Sequence, residues 1–510
     1  MVHTLTTWVR QHRAQVLFLI LLLPTVGPLL LVLPEPIYLW DESRVAVNAA
    51  EMALNNNWLV AHFEGQPDLW NTKPPLLLWL QVLSIKLFGF NEVAIRLPTV
   101  GAVVATVSAL YWFSAKVLRN VAAGLFAGLV LLTTAGYFRV HVAWSGDYDG
   151  LLVCWQLLLL IFYFRYLEKA RSRDWWLFTG ALLGAILTKG VAGLLGLPGL
   201  LLYTLWQGRL GFILRNRQFY AAVAVLLGLV GGYYLGHEVS TPGYWQAVRE
   251  NELGGRFSTA LNDLSGPWNY YLVYLKIRDF VPWLYWLAPA VVLAWWQSNP
   301  VQRRAVGLLL IFSACWLLLI SCAATKLAWY AAPIYPPLAL LTGLGIARIW
   351  ELLHAAYLGR YVPQVVSMAG FTLLFFGLPY RGMLLDMLIQ LQHRTPYYFY
   401  RNYLSALPAS THLASVAVVV PDIVKTNVVS TAWDPGREYN PVFTFYKLAY
   451  KAERNLDLRI TSVRQLASLV PTDTVVVCDE TLHQQVQARF VTRILGRATP
   501  CQLLVVLGPK

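Results

Sequence analysis

Residues 16–33 read VLFLILLLPTVGPLLLVL, eighteen positions without a charge, and the reading of this stretch decides the fold. A helix needs about 20 apolar residues to cross the hydrocarbon core of a bilayer, because roughly 1.5 Å of rise per residue must cover about 30 Å. Further uncharged runs lie at 97–115, 121–138, 150–164, 175–187, 191–208, 219–236, 281–300, 305–325, 327–347 and 361–380. Together they predict a polytopic α-helical membrane protein with about eleven transmembrane helices. Composition agrees: 57% of the 510 residues are hydrophobic and 13% are charged, against roughly 25% charged in soluble domains, and the mean hydropathy is +0.52. Arg10 and Arg13 precede the first run as they would in a signal peptide, but no small-residue cleavage site follows, so a retained anchor is expected.

Loop charge orients the chain. With the N-terminus in the cytoplasm, Lys116, Arg119, Arg165, Lys169, Arg171, Arg173, Arg209, Arg215, Arg217, Arg303, Arg304, Arg348 and Arg360 all fall inside, as the positive-inside rule requires. Much of the net charge of +14 is thereby explained without nucleic acid. The same alternation places outside a first loop at 34–96, a short one at 139–149, a long one at 237–280 and the tail after 380. Residues 1–380 form the membrane domain on this reading, and 381–510 a small extracytoplasmic α/β domain, with alternating runs at 413–420, 474–478 and 502–507 and a helical stretch at 480–490. Within the first loop, 74–85 is apolar but too short to span and 41–54 has helical composition, so two interfacial helices are expected. Cys154, Cys315 and Cys322 sit in apolar runs, whereas Cys478 and Cys501 could pair if the tail is extracytoplasmic.

The residues able to do chemistry gather at the external ends of the runs. Asp41 and Glu42 stand in Leu39-Trp40-Asp41-Glu42-Ser43-Arg44, Lys73 in Asn71-Thr72-Lys73-Pro74-Pro75, Asp147 and Asp149 in Ser145-Gly146-Asp147-Tyr148-Asp149-Gly150, Lys189 in Leu187-Thr188-Lys189-Gly190, and Lys326 in Ala324-Thr325-Lys326-Leu327. Each alone has a structural explanation: acids cap helix starts and lysines snorkel to headgroups. Several lysines and acids beside one leaflet point instead to an anionic headgroup site. A lipid-linked sugar phosphate suits it, because the departing phosphate gains negative charge as the glycosidic bond breaks and fixed cations favour that state. A carboxylate such as Asp41 would take the proton of an attacking hydroxyl. A soluble sugar nucleotide fits less well, since these residues lie outside and no phosphate-cradling glycine loop is present. Neither the nine histidines, with His62, His141 and His237 scattered over the external loops, nor the common acid spacing Asp147-Tyr148-Asp149 defines a metal site.

In order, Asp41-Glu42-Ser43-Arg44, Asn57-Trp58-Leu59-Val60, Lys73-Pro74-Pro75-Leu76, Phe88-Gly89, Arg96-Leu97-Pro98, Gly146 to Leu152, Leu187 to Gly190, and Lys326-Leu327 through Tyr330 to Pro336 resemble the protein O-mannosyltransferase and lipid A aminoarabinose transferase group of GT-C-fold enzymes. The resemblance covers roughly the first 345 residues. It implies inverting transfer from a polyprenyl- or dolichyl-phosphate sugar, with Asp41 as base or acceptor-positioning acid. It also implies that Arg44, Lys73, Lys189, Tyr330 and Arg256 contact or line the site of the lipid phosphate. Asp149, then Asp147, matches the acid after the third span. One departure stands out. The aminoarabinose enzymes have Glu before the lysine matching Lys73 and a His in the long loop, together binding a metal; here Thr72 and Asn251-Glu252 take those places.

The sequence expectation is therefore a polyprenyl-phosphate-sugar-dependent glycosyltransferase acting at the outer face, without a cofactor. Its partners are the lipid-linked donor, membrane lipid and a glycolipid, glycan or protein acceptor. Trp70 could stack on donor sugar or acceptor, or anchor at the interface. Absence of an Asn-x-Ser/Thr sequon favours a bacterial source. A lipid-linked sugar flippase is the alternative from another class; it should carry ionisable groups at mid-membrane and repeated halves, and the sequence shows neither. A non-catalytic headgroup-binding protein and a transferase using a pyrophosphate-linked oligosaccharide are the remaining alternatives.

Overall fold

The computed structural model describes residues 12–260, 264–296, 299–392, 395–407, 413–420 and 440–510. Among these, eight helices are long and apolar enough to cross a membrane: Arg13–Val32, Glu92–Val117, Tyr148–Lys169, Ser172–Leu194, Arg217–Ser240, Pro300–Cys322, Ala328–Leu358 and Gln364–Gln392. A ninth arises if Tyr270–Asp279 and Trp283–Trp296, which meet at 102°, are one broken span. The chain is an integral membrane protein. The two remaining runs form the helices Val121–Leu132 and Leu197–Trp206, of 12 and 10 residues, which rise about 18 and 15 Å, half of a bilayer core. Hydropathy counted eleven runs because it registers apolar residues whether or not they continue a helix. In the run at 121–138, Thr133 ends the helix and turns occupy the rest.

Two compact units divide the chain. The first comprises Met1–Val32, Leu69–Leu77 and Pro98–Leu388, the second Leu33–Asp68, Leu78–Leu97 and Ile389–Lys510. The sequence division at 380 thus differs from the structural one, and the first external loop contributes to both units.

In the first unit, glycines let helices approach closely. A Cβ on Gly343 would lie 2.6 Å from the backbone nitrogen of Ala127, and one on Gly345 would lie 2.3 Å from the Cα of Ala290. Lipid tails are as apolar as leucine, so close packing of small residues is a main source of helix association in a bilayer. The helix Tyr335–Leu353 is held this way against Val121–Leu132 and Trp283–Trp296. Arg217–Ser240, by contrast, leaves Leu227, Leu229 and Leu235 exposed, as expected of a lipid-facing helix.

In the second unit the two expected interfacial helices are Asp41–Asn55 and Leu76–Phe88; the latter begins in the first unit and runs into the second. The tail carries a five-stranded sheet of β1 (Ser415–Val420), β2 (Asp457–Ser462), β3 (Thr474–Val477), β4 (Phe490–Ala498) and β5 (Cys501–Pro509), in the order β2-β1-β3-β5-β4. β1 is parallel to β2 and β3, while β5 is antiparallel to β3 and β4. Val419, Leu466, Val475, Val486, Leu504 and Val506 form its core. The tail is fastened to the first loop through the Glu92 carboxylate, which accepts from Arg401 Nε at 2.7 Å and Tyr446 Oη at 2.9 Å.

The pairing Val477↔Gln502 puts Cys478 opposite Cys501, and the two are joined in a disulfide. With 23 residues of sequence separation, loop-closure entropy makes the bond worth about 3 kcal/mol. Cys478→Ser in the full chain is expected to lower the melting temperature of the tail domain by this equivalent, and reductant should lower the wild type to match; the check is tail-domain melting with and without dithiothreitol.

Candidate active site

Tyr148 opens the helix Tyr148–Lys169, and the first unit's polar residues assemble around it. Asp147 caps this helix: its Oδ1 accepts the Tyr148 N–H at 2.8 Å, so a free backbone donor at the positive end of the helix dipole is satisfied. Its other oxygen, Oδ2, lies 2.8 Å from His141 Nδ1. Burial pushes the Asp147 carboxyl up, but the hydrogen bond from His141 and the charges of His141 and Lys189 outweigh it and hold the group below the usual carboxylate range. Asp149, in the first turn, faces the end of the next helix. Lys189 Nζ donates to both its oxygens, at 2.6 and 2.7 Å. Side-chain exposures of 9% and 4% make this a buried pair. Nζ of Lys189 also lies 5.5 Å from the Tyr330 ring centroid. Gly190 leaves the helix at φ +52, where a side chain would be strained.

The segment Leu69–Leu77 brings the second lysine. Lys73 Nζ stands 5.3 Å from the Tyr148 ring centroid and 3.9 Å from Glu252 Oε1. The segment is tied down residue by residue. Asn71 Nδ2 donates to Tyr148 Oη at 2.9 Å, Tyr244 Oη donates to the Thr72 carbonyl at 2.8 Å, and Asn251 Nδ2 donates to the Leu69 carbonyl at 3.1 Å. Thr72 Oγ1 donates to Glu252 Oε1 at 3.3 Å. Five residues singled out in the sequence, Lys73, Asp147, Asp149, Lys189 and Tyr330, therefore join one network. Trp70, half-buried, lies on the segment that carries Lys73.

Lys326 Nζ donates to the carbonyls of Ile320, Ser321 and Ala323 at 3.2, 2.5 and 2.6 Å, closing the C-terminal end of Pro300–Cys322. A cation is favoured there by the helix dipole alone. The side chain of Arg256 lies outside the described residues. In the second unit, Asp41 is exposed at the start of its helix, whereas Glu42 is buried, with Arg96 Nε and Nη2 donating to its two oxygens at 2.7 and 2.8 Å and the Tyr38 N–H at 2.7 Å. Arg44 grips Asp68 through Nε and Nη2 at 2.9 and 2.7 Å. Glu42 and Arg44 thus hold the first loop together. Arg44→Lys keeps the charge but loses the two-pronged geometry, and is expected to cost roughly 1–2 kcal/mol of stability, read by thermal melting.

His141, Tyr148, Glu252 and Asp68 were not among the sequence candidates. Only His141 had a local signal: it precedes Asp147 by six residues across a Ser-Gly turn. The others are brought in by tertiary packing.

The membrane helices together with the α/β tail make this a GT-C-fold protein. Its structure is similar to ArnT from Cupriavidus metallidurans bound to undecaprenyl phosphate, with a TM-score of 0.66 and 17% identity over 96% of this chain and 99% of that one. It is also similar to the archaeal oligosaccharyltransferase AglB from Archaeoglobus fulgidus in complex with an inhibitory peptide and a dolichol-phosphate, with a TM-score of 0.53 and 12% identity over 89% and 65%. Residues 72–233 match the family model described as dolichyl-phosphate-mannose-protein mannosyltransferase. Among curated proteins, the undecaprenyl phosphate-alpha-4-amino-4-deoxy-L-arabinose arabinosyl transferase of Pseudomonas aeruginosa (strain LESB58) is 31% identical over 71% of this chain and 63% of its own length. Its counterpart in Shewanella sediminis is 29% identical over 66% and 60%. The chain spans about three fifths of the length of these relatives. Both halves of the likeness read from the motifs, to the mannosyltransferases and to the aminoarabinose transferases, recur in these matches.

Proposed function

We propose that the protein is an inverting glycosyltransferase that moves a sugar from a polyprenyl-phosphate donor to an acceptor group of a glycolipid, glycan or protein. The observation that carries this reading is the pair of lysines at the start of one helix: Lys73 lies against the ring of Tyr148, and Lys189 pairs with Asp149 in that helix's first turn, so each lysine is accompanied by a carboxylate. Two ammonium groups match a phosphate monoester leaving group, whose charge grows as the bond to the anomeric carbon breaks; cations fixed in place before the reaction favour that state without reorganisation. Asp149 aims the Lys189 ammonium, accepting from it through both oxygens. Lys73, whose carboxylate neighbour Glu252 is 3.9 Å away, is the more readily redirected of the two. Asp41, exposed at its helix start, is the base or the acceptor-positioning acid that the family likeness implies. The positive charge that this step needs at the leaving phosphate is supplied by the lysines.

The Cys478–Cys501 disulfide supports an oxidising compartment for the tail. With the basic loops assigned to the cytoplasm and with bacterial relatives, the reading is a bacterial inner-membrane protein whose N-terminus is cytoplasmic and whose reaction centre and tail face the periplasm. Reconstituted wild-type protein is expected to transfer labelled sugar from an undecaprenyl-phosphate donor. Asp41→Asn should lower the rate roughly 10²-fold while undecaprenyl phosphate still binds. Equal rates in the two proteins would remove Asp41 from the mechanism.

A further inference from the structure

We infer that Glu252 is the residue by which this site distinguishes the loaded donor from the spent carrier. Its carboxylate is a counter-ion of Lys73 that an arriving phosphate displaces, and it repels the more highly charged polyprenyl phosphate more strongly than the donor. The inference rests on the transferase reading above and deepens it.

Glu252 lies on the π-helical turn Arg249–Gly254, directly after the helix Tyr244–Val248. Such wide turns re-aim the side chains of a helix and recur at functional sites. Three contacts set this region against the segment that carries Lys73. Asn251 Nδ2 donates to the Leu69 carbonyl at 3.1 Å, Tyr244 Oη donates to the Thr72 carbonyl at 2.8 Å, and Thr72 Oγ1 donates to Glu252 Oε1 at 3.3 Å. The oxygen that accepts from Thr72 is the one that lies 3.9 Å from Lys73 Nζ. Glu250, the other acid of the turn, is exposed and accepts from Gln246 Nε2 at 2.9 Å. Of the two acids, Glu252 is therefore the one directed at the lysine.

The two lysine–carboxylate pairs offer different openings to a phosphate. Asp149 accepts from Lys189 through both oxygens, at 2.6 and 2.7 Å, in a pair closed off from solvent. Glu252 and Lys73 are 13% and 15% exposed and stand beyond direct hydrogen-bond distance. A phosphate entering the site replaces Glu252 at Lys73 at lower cost than it separates Asp149 from Lys189. Glu252 then stays close by, since its neighbour Asn251 remains anchored to the Leu69 carbonyl.

Transfer changes the charge that Glu252 faces. The donor is a phosphodiester with a single negative charge. Breaking the bond between the anomeric carbon and the phosphate oxygen leaves the electron pair on that oxygen, and the resulting monoester carries about −1.5 to −2 at neutral pH. Cations that favour bond breaking also hold this product, because the charge that develops in the transition state is complete in the leaving group. A carboxylate about 4 Å away weakens binding by about fivefold for each unit of negative charge, even at the dielectric constant of water. Glu252 therefore loosens the product more than the donor and lets the next donor replace it.

The test uses the full-length protein and two lipid probes that differ in charge: undecaprenyl phosphate, and its methyl ester, which like the donor is a diester. Dissociation constants are measured at pH 7.5 and low ionic strength, where charge effects are least screened. Glu252→Gln keeps the size of the side chain and an oxygen for Thr72. It is expected to tighten undecaprenyl phosphate roughly 10–25-fold and the methyl ester roughly fivefold, so that preference for the monoester rises about two- to fivefold. Glu252→Ala, which deletes the group, should move the preference in the same direction. The preference is a ratio taken within one protein, so a smaller folded fraction does not alter it. In steady-state transfer, inhibition by undecaprenyl phosphate should deepen in Glu252→Gln, a change that a role confined to holding Thr72 would not produce. An unchanged or lower preference in both variants overturns the inference and leaves the transferase reading standing. Failure of the wild type to bind undecaprenyl phosphate removes both.

Discussion

Replacing Lys189 by Met is expected to abolish transfer and to destabilise the protein by about 3–5 kcal/mol. The Asp149 carboxylate is 4% exposed and takes both its close hydrogen bonds from Lys189, at 2.6 and 2.7 Å. Removing the ammonium strands a charge away from water, and the Coulomb attraction that offset its desolvation disappears. A buried pair is not in itself strongly stabilising, because both groups gave up hydration to form it. The double variant Lys189→Met with Asp149→Leu should therefore recover most of the lost stability, yet remain inactive. Melting curves and transfer rates on the three proteins separate the two roles: recovery of both stability and activity would mean that Lys189 only holds helices together.

Lys73→Ala is expected to have the opposite profile. Its ammonium stands 3.9 Å from Glu252 Oε1, beyond direct hydrogen-bond distance, so its removal strands Glu252 less than removal of Lys189 strands Asp149, and the loss of stability should be smaller than in Lys189→Met. The effect on catalysis should be large. If Lys73 meets the leaving phosphate, its loss removes a charge-assisted interaction that strengthens as the bond breaks, worth about 2.7–4 kcal/mol or roughly 10²–10³-fold in kcat. Affinity for undecaprenyl phosphate should fall as well, and Lys73→Arg should retain part of both, since the charge survives with different geometry. Steady-state kinetics and binding of undecaprenyl phosphate check this. Unchanged kcat with intact binding would place the phosphate elsewhere.

Much of this architecture could be read from residue order. Apolar runs, the two interfacial helices and the strands β1, β3 and β5 follow from periodicity, which depends only on residues near in sequence. Two strands escaped for physical reasons. β4 has register shifts at Val491/Thr492 and Ile494/Gly496, which break the alternation that reveals a strand, and β2 reads DLRITS, too polar to stand out. Among the site residues, sequence could assemble the candidates but not rank them. Glu42 and Asp41 are neighbours with identical credentials, and only the placement of Arg96, 54 residues on, makes one a buried structural acid. Lys326 and Lys189 each stand at the end of an apolar run with Thr before them. One faces an acid and the other faces carbonyls, a difference created by packing. His141 was passed over because histidines were sought in pairs, whereas its partner is a carboxylate.

The central claim is that this membrane protein cleaves a sugar–phosphate bond on a polyprenyl carrier. It is tested most directly by counting products in proteoliposomes supplied with a labelled undecaprenyl-phosphate sugar and a hydroxyl acceptor. One free undecaprenyl phosphate is expected for every sugar transferred, with both lost together in Lys73→Ala and Lys189→Met. Donor that is bound or carried across the bilayer with its sugar–phosphate bond intact would contradict it and favour a flippase.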